Sequence, residues 1–160
     1  MNQIRQLVIR EADAAAIKLI LTGFLKESGA DEVLLIDRSG QLLMMEGVSR
    51  ALDTVSISAL AAAAYCSTSA MAQLLGESEF TVLFHEGHKR SIHASVVDDD
   101  AILLAIFDER TTVGMVRLFA KDVSQKIAAI LAESRARSGS LDAFASPLRP
   151  DEAHYTFPAA

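Results

Sequence analysis

"FHEGHKRSIH", residues 84–93, holds three of the chain's four histidines and a glutamate. The backbone of this stretch decides the fold around it. On a helix it would suggest a zinc hydrolase, whose HExxH motif sets two histidines at i and i+4 with the glutamate as base. Here His85 and His88 stand three apart with Gly87 between them. The flanks settle the reading. "EFTVLFHE" (79–86) and "SIHASVV" (91–97) are rich in β-branched and aromatic residues, and "GHKR" between them is a turn. In this hairpin His88 lies in the turn, His85 near the end of one strand and His93 inside the next. Alternation sets His93 with Ser91 and Ser95, opposite Ile92, Ala94 and Val96. The histidines are therefore expected to be surface and turn residues that do not converge on a metal.

Working outward, "AILLAIFD" (101–108) is a third strand, reached through "DDD". A helix then starts near Thr111-Thr112 with a hydroxyl cap, and Val116, Phe119, Val123, Ile127, Ile130 and Leu131 form its core stripe. Towards the N-terminus, residues 11–27 form a helix with Ile17, Ile20, Leu21, Phe24 and Leu25 on one face, ended by Ser28-Gly29. "EVLLID" (32–37), "RSG" (38–40) and "QLLMME" (41–46) form another hairpin. Asp53 caps a long helix that runs to about Leu75, before Gly76. The order is helix, two strands, helix, three strands, helix. It predicts an α+β fold with an antiparallel sheet covered by helices on both faces. A strand of the 79–97 hairpin is expected at a sheet edge, where a second copy can pair. The domain is expected over residues 1–137. From Ser138 the period is lost and all three prolines appear, so residues 138–160 read as a flexible tail, with Phe144, Leu148, Tyr155 and Phe157 as short apolar anchors.

Composition narrows the function. With 160 residues and 51% hydrophobic content, the chain can bury a core as one domain. A net charge of −6 argues against nucleic acid, which calls for a basic face. Cys66 is the single cysteine, so there is no internal disulfide and no cysteine-rich zinc site. The longest apolar runs, such as 101–107, are too short to span a bilayer, and no leader-like segment follows Met1. A soluble cytoplasmic protein without membrane insertion is expected. No phosphate-cradling glycine loop and no nucleophile elbow occurs. Cys66 reads as a small packing residue, "DDD" (98–100) as a solvated turn, and Arg110 and Arg117 as solvent or ion-pair residues. No cofactor and no catalytic set are expected.

The central helix carries a further signal. No Asp, Glu, Lys or Arg occurs from Thr54 to Gly76. Ile57, Leu60, Ala64, Met71 and Leu75 form a bulky stripe, taken as the core face. Ala59, Ala62, Ala63, Cys66, Ser69 and Ala70 form a second stripe of small side chains, continued by Gln73. A solvated helix face normally carries charge, so an uncharged one is expected to meet a partner.

"ADEVLLIDRSGQLL" (30–43), Asp53 opening an alanine-rich helix, "LLGESEFTVLFHEG" (74–87) and "AIFDERTTVGMVRL" (105–118) together resemble the Roadblock family, and within it the MglB-like branch. The likeness covers roughly residues 12–132. The last phrase is the most specific, with a strand, Asp108, a threonine pair, Gly114 and "MVRL". The resemblance implies a Roadblock/longin-like fold, a five-stranded antiparallel sheet sandwiched by helices in the order α-β-β-α-β-β-β-α. It also implies a homodimer formed through an edge strand and the central helix. The implied partner is a Ras-like small GTPase of the MglA type in its GTP form. Members of that branch accelerate hydrolysis by repositioning the GTPase's own catalytic groups, in the control of polarity and motility. Some act on exchange through the C-terminal segment. On this likeness the GTPase-facing small positions fall on Cys66 and Ala70, and the interface on Ala59, Ala62, Ala63, Cys66, Ser69, Ala70 and Gln73. The alternative is a Roadblock scaffold that binds partners without stimulating hydrolysis.

Overall fold

The computed structural model describes residues 9–48 and 51–144, with side chains through residue 138. Eight elements follow in order: α1 (Glu11–Ser28), β1 (Glu32–Asp37), β2 (Leu42–Gly47), α2 (Thr54–Leu74), β3 (Val82–His85), β4 (Ser91–Val96), β5 (Ala101–Phe107) and α3 (Val113–Phe144). The strands form one antiparallel sheet in the order β2-β1-β5-β4-β3. The expected α-β-β-α-β-β-β-α order and five-stranded antiparallel sheet are therefore present.

Central strands β1 and β5 are buried along their whole length. That is why they read as unbroken apolar runs, for both faces of a central strand are covered here. One face packs Val33, Leu35, Leu103 and Ala105 against Ile17, Leu21 and Phe24 of α1 and Val116, Ala120, Val123, Ile127 and Leu131 of α3. The other packs Leu34, Ile36, Ala94, Leu104 and Ile106 against Ala62 and Tyr65 of α2. Gly29 closes α1 at φ +73, its N–H donating to the Leu25 carbonyl. Thr111 Oγ1 then donates to the Ser28 carbonyl at 2.6 Å, tying the end of α1 to the start of α3. Thr112 supplies the expected hydroxyl cap, accepting from Met115 N–H at 3.3 Å.

Four expectations are corrected. The bulky stripe of α2 is not its core face, for Leu60, Met71 and Leu75 are 69%, 52% and 73% exposed. The buried residues of α2 are Ser58, Ala62, Tyr65 and Ala72, and of the bulky stripe only Ile57 packs, in part, against the cluster on the sheet. The reason is closeness. Small residues let the helix backbone come close to the β1–β2 turn. A Cβ at Gly40, in the β1–β2 turn, would lie 2.8 Å from Ala59 Cα. Ser58 is tolerated inside because its hydroxyl donates to the Thr54 carbonyl at 2.6 Å.

Strand β3 is shorter than 79–86. Tyr65 Oη donates to Glu79 Oε2 at 2.7 Å and contacts the Phe80 carbonyl at 3.0 Å, so residues 79 and 80 serve α2 rather than the ladder. His93 is buried rather than at the surface. Helix α3 runs on past Ser138 to Phe144; Ser138 Oγ donates back to the Ser134 carbonyl at 3.1 Å and accepts from Arg10 at 3.3 Å. The remaining tail, with Leu148, Tyr155 and Phe157, lies outside the described residues.

The "DDD" turn is ion-paired, with Arg135 of α3 meeting Asp98 at 2.5 Å and Asp100 at 2.7 Å. By length and composition alone α2 would suit a bilayer, with 21 residues and a mean hydropathy of 1.4. Its Tyr65–Glu79 bond and its face on the sheet give it a place in the globular fold.

Candidate functional site: the outer face of the central helix

Helix α2 begins at Asp53, whose carboxylate accepts from Ser56 Oγ at 2.6 Å and Ser56 N–H at 3.0 Å. The Ser56 hydroxyl, then its N–H, hold the Asp53 carboxyl below the usual range. The charged cap suits the positive end of the helix dipole. Further along, Tyr65 pins the helix to the sheet. Burial, then the Glu79 carboxylate, raise its phenol pKa, and Arg38 lies over the ring at 5.2 Å from its centroid while pairing with Glu79 at 3.2 Å.

With that inner face anchored, the outer face is set. Ala59, Ala63, Cys66, Ala70 and Gln73 are exposed and Ser69 is half-buried. Cys66 is thus a surface thiol and not an internal packing residue. Ala62 departs from the rest, for it packs on the sheet and cannot reach a partner while the helix is seated. Val55, Leu60, Met71, Leu74 and Leu75 stand around the small residues, all exposed. Sequence reasoning assigned Leu60, Met71 and Leu75 to the core, and only the missing charge on every side of the helix hinted that they too are outside. The face joins an apolar cavity of ≈ 290 Å³ between α2 and the β3–β4 end of the sheet, walled by Ile57, Leu60, Leu83 and Ile92 with His85 at its side. Here α2 leaves the sheet uncovered, next to β3, whose outer edge pairs with no strand among the described residues.

The histidines diverge. His85 pairs with Ile92 in the register and shares the α2 side, whereas His93 pairs with Phe84 and faces α3. His88 is exposed in the turn. No group of three or more metal-ligating side chains occurs among the described residues. Arg110 is held by Asp108 at 2.9 Å and by Asp31.

The Roadblock/LC7 domain model matches residues 16–107. The chain belongs to the Roadblock/LC7 family. It is similar to the gliding protein MglB of Thermus thermophilus, at 30% identity and a TM-score of 0.77 over 80% of this chain and 97% of that one. It is similar to Myxococcus xanthus MglB at 35% identity and a TM-score of 0.71, over 74% and 96%. An MglB with a tetrameric arrangement is 30% identical, with a TM-score of 0.77 over 80% and 96%. No curated protein sequence matches the chain. The span matched by the family takes in α2, β3 and the groove between them.

Proposed function

We propose that this chain is a homodimeric, non-catalytic regulator of a Ras-like small GTPase of the MglA type. It acts in the cytoplasm on the GTP-loaded partner, within the control of polarity and motility. The observation that carries the reading is the exposed, uncharged outer face of α2, in a chain similar over most of its length to MglB proteins. Small side chains at Ala59, Ala63, Cys66 and Ala70 allow another backbone to approach closely. The free edge of β3 and the apolar groove beside it favour a second copy, whose strand would continue the sheet.

Most of the barrier to phosphoryl transfer is met by aligning water and placing charge. A surface that selects the GTPase's competent loop arrangement therefore accelerates hydrolysis while donating no side chain. The Roadblock domain is taken as residues 1–137, and residues 138–160 are dispensable for folding.

The test is GTP hydrolysis by the host's MglA-type GTPase, with and without this protein, beside Ala70→Arg. Stimulation that the substitution abolishes, with the dimer intact, is the expected result. Binding without stimulation would favour a scaffold. Normal binding by Ala70→Arg would refute the placement on α2.

A further inference from the structure

On the far side of the sheet from α2, β4 and α3 enclose a second cavity of ≈ 410 Å³. Its polar lining includes Thr81, His93, Ser95, Arg117, Lys121 and Ser124. His93 is 1% exposed, and neither ring nitrogen has a hydrogen-bond partner. Buried polar atoms are normally bonded, so two orphan nitrogens on a ring that lines a cavity point to a missing partner, one that reaches them when the side chains over the ring move. Burial first, then the Arg117 charge, hold the imidazole below its ordinary pKa. The ring is thus neutral near pH 7, with one N–H to donate and one nitrogen to accept.

The cations at the mouth lack partners as well. Every other arginine among the described residues meets a carboxylate or a hydroxyl. Arg117 and Lys121 meet neither, although they stand one turn apart on α3, where like charges repel. In a chain of net charge −6, this is a local positive site with no internal counter-ion among the described residues. A dianion between the two would relieve the repulsion, with the guanidinium fork suited to a phosphate's paired oxygens. The floor adds Ser95 Oγ and Ser124 Oγ, 3.4 Å apart and both buried, as further hydroxyl partners. Val82 and Val97 give the cavity an apolar wall, and its size is that of a site for a small organic molecule.

We infer that this cavity binds a small phosphorylated metabolite. The phosphate lies between Arg117 and Lys121, a polar group of the ligand meets His93, and its carbon body lies on the valines. This site is separate from the α2 face, and the inference does not rest on the GTPase reading.

The experiment titrates the full-length protein with glycerol 3-phosphate, following the ring proton signals of His93 by NMR, with sodium sulfate and sodium chloride at matched ionic strength as controls. Saturable movement of the His93 signals is expected with the sugar-alcohol phosphate, at lower concentration than with sulfate. The double variant Arg117→Gln, Lys121→Gln removes two charge-assisted contacts and should weaken binding by roughly 100-fold or more. Both side chains are exposed, so that variant keeps the fold, and its unshifted melting checks this. Movement that chloride reproduces, sulfate binding as tight as the phosphate ester, or undiminished binding by the double variant would each overturn the inference.

Discussion

Replacing Gly40 with alanine should unseat α2 from the sheet. Gly40 sits in the β1–β2 turn at φ +93, with the Ala59 Cα only 2.8 Å from where a Cβ would stand. Two costs add. A non-glycine residue in the left-handed region costs about 1–2 kcal/mol. The methyl meets helix backbone rather than the end of a flexible side chain, so the hairpin or the helix must shift, at an overpacking cost of about 1–3 kcal/mol. The expected loss is about 3 kcal/mol, and for a chain of this length each kcal/mol lowers Tm by roughly 2–4 °C. Two other glycines separate the terms. Gly76 has φ +79 with open space around it, so Gly76→Ala carries only the backbone cost of about 1 kcal/mol. Gly23 lies inside α1 with nothing within 4 Å of its added Cβ and no positive φ, so Gly23→Ala should stabilise by about 0.5–1 kcal/mol. Urea unfolding at one fixed protein concentration measures all three, because self-association would otherwise shift the midpoints. If Gly40→Ala is no worse than Gly76→Ala, the close contact between turn and helix carries no weight and the account of α2 seating fails.

Further outcomes follow from the same geometry. Tyr65→Phe removes the hydroxyl bonded to Glu79 and the Phe80 carbonyl, and should cost about 1–2 kcal/mol in urea unfolding; an unchanged midpoint would mean the residue 77–81 segment is held by other means. His93 has its pKa lowered on folding, so the unfolded chain takes up the proton more readily. Its contribution is complete above the ordinary value of 6.5 and is lost as pH falls below it. His93→Leu should flatten that part of the stability–pH curve in phosphate-free buffer, and a slope identical to the parent would contradict the burial. Leu60→Ser and Leu74→Ser, at exposed positions on α2, should leave protomer stability within about 0.5 kcal/mol while weakening self-association or GTPase binding by sedimentation analysis. A loss on the scale of a core leucine, about 2–5 kcal/mol, would restore these residues to the interior.

Much of the architecture was legible because its signals are redundant. Residues 32–37 and 101–107 read as buried strands from their apolar runs, and both are central in the sheet. The caps at Gly29, Asp53 and Thr112 stand where the punctuation of the chain put them. What failed was the facing of α2. Periodicity distinguishes an inner from an outer face by contrast, and this helix has no charge to supply it. Both its stripes are apolar, and size alone suggested that Leu60, Met71 and Leu75 belong inside. The deciding contacts were the close approach of Ala59 to the β1–β2 turn and the Tyr65 bonds to Glu79 and Phe80, which no periodicity within the helix encodes. His93 was hidden for a related reason. Strand alternation placed it correctly with Ser95, but only the seating of α3 over that face shows that it is enclosed. The continuation of α3 past Ser138 was masked by the composition break at that residue.

The inverted packing of α2 has a functional logic. An ordinary amphipathic helix puts leucine inward and charge outward, so its exposed face is soluble by itself and indifferent to partners. Here the inward face is made largely of serine, alanine and tyrosine, with Ile57 as its one bulky aliphatic residue, held by hydrogen bonds and close backbone approach. The leucines and Met71 are left outside, beside an uncovered strip of sheet. On the proposed function, fold stability and partner affinity rest on different residues of one helix. The Tyr65–Glu79–Arg38 network and the Gly40 contact secure the protomer, leaving the outer face free to vary with the partner. Such a face is costly to expose alone, which ties its solubility to association. It also explains why a single charge at Ala70 can be expected to abolish docking without touching the core: the side chain at that position contributes to no cluster on the sheet, and only an approaching surface would meet it.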